Sequence, residues 1–220
     1  MEYKTKHYIF SIENNEIAKR DIKHIAKIQE DAYEKITKTL KIEYDSIIKY
    51  YLLNSPEEVA KLSSYDYPVN GLANIDKKCV YAVYNEDVKC IGPHEDAHLI
   101  SEIFGITHSD FLSEGLAMSF DETWWNIKNE IWCKRFIENK TFISPLDLLN
   151  DNSFYEIDCA ITYPIAGAFT AYLIKQYGID KYKIFYTLKD LTTSNIEKIF
   201  ECKINDIINN FIKYINENNW

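Results

Sequence analysis

The residues best suited to chemistry in this chain are two histidines four positions apart with a glutamate between them: His94-Glu95-Asp96-Ala97-His98. On an α-helix, residues i and i+4 project from one face, so two imidazoles can meet one ion. Glu95 stands beside that face, where its carboxylate can reach a water on the metal. A catalytic zinc site also needs a third protein ligand and an open position for water. The next helix candidate, residues 110–117, offers Glu114, sixteen positions after His98 and across a turn around Gly105. Three ligands with an adjacent glutamate argue against a structural zinc site, which four ligands usually close.

These residues need helices to present them. Gly92-Pro93 predicts an N-cap and first-turn proline for the histidine helix, Gly105 predicts its end, and Asp110 predicts the cap of the Glu114 helix. Gly115 is about 1 kcal/mol worse than alanine inside a helix, so its presence predicts close backbone approach to a neighbour. Upstream, residues 7–12 read as a short strand, and from Glu16 to Leu40 apolar residues recur at three- or four-residue steps, an amphipathic helix. Residues 46–53 read as a strand, Ser55-Pro56-Glu57-Glu58 as a capped helix start, 65–76 as a loop, and 79–84 as the strongest strand. After Cys90 the pattern turns helical almost to Trp220. A strand-bearing front half therefore leads into a helical back half, an α+β organisation.

Composition bounds the function. The 220 residues suit one large domain or two small lobes and are enough to bury a core without disulfides; with the strand-bearing front and helical back they read as one domain of two lobes, 1–105 and 106–220. The net charge of −9 leaves no fold-wide basic footprint for nucleic acid. No run reaches the length of a membrane span, and the amino terminus lacks the apolar run of a signal peptide, so the chain reads as cytoplasmic. The five cysteines (Cys79, Cys90, Cys133, Cys159, Cys202) form no CxxC pair and read as reduced, mostly buried thiols.

The chain resembles the gluzincin zinc metallopeptidases, and within them the small peptidase-MA-like domains. The likeness rests on His94-Glu95-Asp96-Ala97-His98 and on residues 111–117, Phe-Leu-Ser-Glu-Gly-Leu-Ala, which are similar to the family's W-L-x-E-G-L-A segment with Phe111 in place of Trp. Residues 163–173 are similar, more weakly, to a later Y-x-x-x-G-x-F-x-x-Y-L helix. The resemblance implies a zincin-like fold: a small mixed sheet packed on the histidine helix, then a helical lobe, with the site in the cleft between them. It implies zinc held by His94, His98 and Glu114, and Glu95 as general base for peptide hydrolysis. It also implies that strand 79–84 is the sheet edge on which a peptide or protein substrate pairs.

Tyr163, at the tyrosine position of the later helix, is the candidate donor to the oxyanion, with Tyr155, Tyr172 and His108 as competitors; His7 and His24 are bystanders. Some gluzincins place an acid four residues after the ligand glutamate, where this chain has Met118. Asp121, Glu102 and Asp96 are substitutes for it, although each reads first as a solvated surface acid. Trp124, Trp125 and Trp132 follow the Glu114 helix at helical spacing, suited to packing or to lining the cleft. No G-A-M-E-N sequence precedes the histidine helix, which favours endopeptidase action. A second reading is a catalytically inactive zincin-like module for binding or regulation. Its mark is a lost ligand or lost glutamate, and neither is lost here.

Overall fold

The computed structural model describes residues 1–150 and 154–220. Its fold is α+β, with a five-stranded mixed sheet and a run of helices after it. The chain divides into two compact units, Met1–Ile103 and Phe104–Trp220.

The first unit contains β1 (Glu2–Lys4), β2 (Tyr8–Ile12), α1 (Glu16–Leu40), β3 (Ile48–Leu53), α2 (Pro56–Ser63), β4 (Gly71–Asn74), β5 (Cys79–Val83) and α3 (Pro93–Ser101). Helix α1 has the bounds its periodicity predicts, because Asn15 caps it through Ala18 N–H and Lys41 ends it in the left-handed region. Ser55 caps α2 as expected, its side chain accepting from Glu58 N–H. The strand order is β1-β2-β3-β5-β4, with β2, β3 and β5 parallel and the two flanking strands antiparallel. The five residues of β5 are all buried, as an interior strand requires. Val59 of α2 packs with Leu53, Cys79, Tyr81 and Val83 on one face of the sheet.

Two expectations need correction here. Strand 79–84 is not an edge: β5 lies between β3 and β4, and β4 is the edge. Part of the expected loop 65–76 is that edge strand. Gly71, Leu72, Ala73 and Asn74 have weak strand preference, and pairing with Ala82 to Cys79 makes them one. The amino-terminal strand β1 was also not foreseen; it pairs with β2 over three residues.

A 3-10 turn (Glu102–Phe104) spans the boundary, and the first helix of the second unit is α4 (Asp110–Asp121). This unit continues with β6 (Thr123–Trp124), β7 (Ile127–Lys128), α5 (Asn129–Glu138), α6 (Pro145–Asn150), α7 (Cys159–Tyr177), α8 (Ile179–Tyr186), α9 (Thr193–Phe200) and α10 (Ile204–Glu217). The helical run is thus interrupted by a hairpin at 123–128, so the three tryptophans do not share one helix. Trp125 and Asn126 both take positive φ, which closes a two-residue turn.

Helix α7 is the axis of this unit, buried along most of its length from Thr162 to Leu173. Helix α4 crosses it at two glycines. A Cβ on Gly115 would lie 2.7 Å from Thr170 Oγ1 and 3.0 Å from the Ala166 carbonyl; one on Gly167 would lie 2.7 Å from Met118 Cβ. The close approach predicted at Gly115 is therefore present. Gly115→Ala would gain about 1 kcal/mol of helix propensity but overpack a backbone contact, costing about 1–3 kcal/mol. The expected net outcome is a lower urea midpoint; a midpoint at or above wild type would contradict this packing.

Candidate metal centre

Helix α3 is nine residues long and carries no side-chain cap of its own. Its start is held instead by Gln29 of α1, which is fully buried. Gly92 N–H donates to Gln29 Oε1 at 2.6 Å, while Gln29 Nε2 donates to the Gly92 carbonyl at 3.1 Å and to Asp96 Oδ2 at 2.9 Å. Tyr8 of β2 donates its hydroxyl to the same Asp96 oxygen at 2.5 Å. This knot fixes both the entry and the rotation of α3. With about 100° per residue, Asp96 lies about 200° round from His94, and His98 only about 40°.

Asp96 is therefore corrected from a solvated acid to a fully buried anchor facing away from the histidines. It is not their carboxylate partner. Burial, with the Glu95 charge adding to it, pushes its carboxyl up to about 8. Glu102 is exposed and Asp121 half-buried. The helix ends at Ser101 rather than Gly105, and the 3-10 turn takes up the remainder.

On the opposite face the His94 and His98 rings lie 5.1 Å apart, near perpendicular. Glu95 is packed under the edge strand: a Cβ at Gly71 would sit on its carboxylate and on the Cys90 sulfur, so a larger residue there would displace the Glu95 carboxylate. The cysteines are all free, but only Cys79 and Cys133 are buried, fewer than expected. Short half-exposed segments, rather than core strands, carry Cys90 and Cys202.

Glu114 lies on α4, capped by Ser109, not Asp110; the serine side chain accepts from Leu112 N–H, and Asp110 is the first helical residue. Glu114 is 9 % exposed, and its carboxylate needs donors. Tyr155 supplies one, its hydroxyl donating to Glu114 Oε1 at 3.0 Å. Tyr163 supplies another; burial first, and then the Glu114 carboxylate, hold its phenol well above the ordinary range. Its ring stacks on Phe154 at 5.6 Å and tilts against Trp124 at 5.3 Å.

The other candidates lie elsewhere. Tyr172 packs against Phe169, Phe211 and Tyr214. His7 pairs with Glu30 and stacks on Tyr33, while His24 and His108 are exposed. Met118, buried, offers its carbonyl to Asn129.

His94, His98 and Glu114 each bring a ligand atom within 4.8 Å of the others. Two nitrogens and a carboxylate oxygen are the donor set of catalytic zinc, and bond lengths near 2.0–2.2 Å place ligand atoms at most about 4.4 Å apart. The donor types and their mutual closeness fit such an ion. Gln29, Tyr8 and Tyr155 were not foreseen as supports, although Gln29 interrupts the apolar stripe of α1 and so marks itself as a buried polar contact. Among the described residues, no helix is long and apolar enough to cross a membrane. No protein-family model matches the sequence, and no curated protein matches it.

Asp96 generates a pH dependence. In the unfolded chain its carboxyl titrates near 3.8, and in the folded protein near 8. The native state keeps a proton that the unfolded chain releases. This contribution to stability is complete below about pH 4 and is lost as the pH rises through 8, with a slope of up to about 1.4 kcal/mol per unit. Asp96→Asn should flatten the fall in unfolding midpoint between pH 5 and 8, measured with chelator so that metal binding contributes to neither protein. Equal slopes would remove Asp96 as the source.

Proposed function

We propose that this chain is a zinc-dependent peptidase, acting as an endopeptidase on peptide or protein substrates. One observation carries the reading: the two histidines of an H-E-x-x-H helix and Glu114 bring three ligand atoms within 4.8 Å of one another, with Glu95 on the same helix. Zinc, when bound by these three, supplies Lewis acidity and lowers the pKa of a coordinated water from 15.7 to about 7. The protein's own groups do the rest. Glu95 accepts the proton of the attacking water and returns it to the leaving amine. Its carboxylate lies against Gly71, which limits the directions in which it can receive that proton.

Gly71 begins β4, so a peptide extended along that edge would pass beside the base. Tyr163 stays protonated and is the candidate donor to the oxyanion; in the resting arrangement its hydroxyl serves Glu114. With no acidic anchor for a free amino terminus in the sequence, cleavage within a chain is the favoured mode. The net charge of −9 speaks against nucleic acid as the substrate.

The decisive experiment pairs metal analysis with a peptide-cleavage assay. Wild type is expected to hold about one zinc per chain, and Glu95→Gln to keep that zinc while losing at least about 10²-fold in kcat. Cleavage by Glu95→Gln at the wild-type rate would overturn the mechanism. Zinc-loaded wild type that cleaves no member of a broad peptide library would point to the inactive binding module. Tyr163→Phe is expected to lower kcat by about 10²-fold with KM unchanged. If only zinc affinity falls, Tyr163 supports Glu114 and does not touch the oxyanion.

A further inference from the structure

Trp125 is a poor residue for the turn it occupies. The hairpin of β6 and β7 closes on Trp125 and Asn126 at φ of 52° and 59°. Such turns favour Asn-Gly or Gly-Gly, because a bulky side chain crowds the backbone at positive φ. Burial does not offset that crowding: Trp125 is 69 % exposed.

Its surroundings are nevertheless ordered. Trp132 Nε1 donates to the Trp124 carbonyl at 2.9 Å, pinning the hairpin to α5. The Trp125 ring lies 5.7 Å from Trp124 and 6.2 Å from Trp132, nearly perpendicular to the latter. Trp124 in turn meets Tyr163 at 5.3 Å, the phenol that reaches Glu114. A continuous aromatic shelf therefore runs within the second unit from a candidate zinc ligand to solvent. The Trp124 indole N–H on that shelf is buried and has no acceptor among the described residues.

Resting on the peptidase reading, we infer that Trp124, Trp125 and Trp132 form a subsite for one aromatic side chain of the peptide substrate. Two indoles set near a right angle offer a ring both a face and an edge, the two geometries aromatic pairs prefer. A cationic side chain is disfavoured, because the Arg135 guanidinium already lies over Trp132 at 5.0 Å. Backbone strain at an exposed aromatic residue is the kind of feature that binding sites retain.

The test uses two short blocked peptides, identical except for a central Phe or Ala, and zinc-loaded full-length protein. Binding is measured by calorimetry in a Glu95→Gln background and cleavage in the Glu95 background, each with Trp125, Trp125→Ala or Trp125→Phe. The Phe-to-Ala affinity ratio is expected to fall about tenfold in Trp125→Ala and to return in Trp125→Phe, with the kcat/KM ratio following. A ratio independent of residue 125, or binding of neither peptide, overturns the subsite. Trp125-dependent selectivity without cleavage by the Glu95 protein upholds the subsite and overturns the peptidase reading. Cleavage with a Trp125-independent ratio does the reverse.

Discussion

A single buried amide governs where the histidine helix can go. Gln29 exchanges two hydrogen bonds with the backbone of Gly92 and a third with Asp96, and Tyr8 completes the set from the sheet. A nine-residue helix is too short to persist through its own hydrogen bonds, so its position must come from such tertiary contacts. The knot sets rotation as well as place. Because Asp96 is tied to the interior, His94 and His98 are turned outward on the far side of the same helix. Removing any one member would leave buried polar partners unpaired, at about 1–3 kcal/mol each.

The helix that carries Glu114 is governed by a different force. Close packing at Gly115 and Gly167 lets α4 lie directly on α7, and this fixes the height of Glu114 above that axis. Electrostatics then finishes the placement. A carboxylate this buried is unstable without donors, and two phenols, Tyr155 and Tyr163, supply them. The same two hydroxyls restrict the directions left open around that carboxylate.

Much of this was readable before any coordinates. The H-E-x-x-H spacing needs only a helix to acquire meaning, and α1 declares itself because a 25-residue amphipathic stripe is unambiguous. Gly115 was legible because a glycine in mid-helix has few other reasons to be there. What escaped was whatever depends on a distant partner. Strand β4 exists through β5, not through its own residues. The hairpin at 123–128 hides because tryptophans seven and eight positions apart, about two helical turns, imitate a helical face. Asp96 resembles any helical surface acid until Tyr8 and Gln29, far off in sequence, are seen to meet it.

The knot around α3 also orders events in time. Tyr8 and Gln29 precede Asp96 by 88 and 67 residues, so the seat is made of early segments and its occupant arrives late. Between them lie two parallel strand pairings, β2 with β3 and β3 with β5, each joined by a crossover and each slow to close. A chain growing from its amino terminus thus completes the receiving surface while the histidines are still emerging. Their helix has no fixed orientation until the sheet has formed, so the outward presentation of the two histidines is among the last things the first unit acquires.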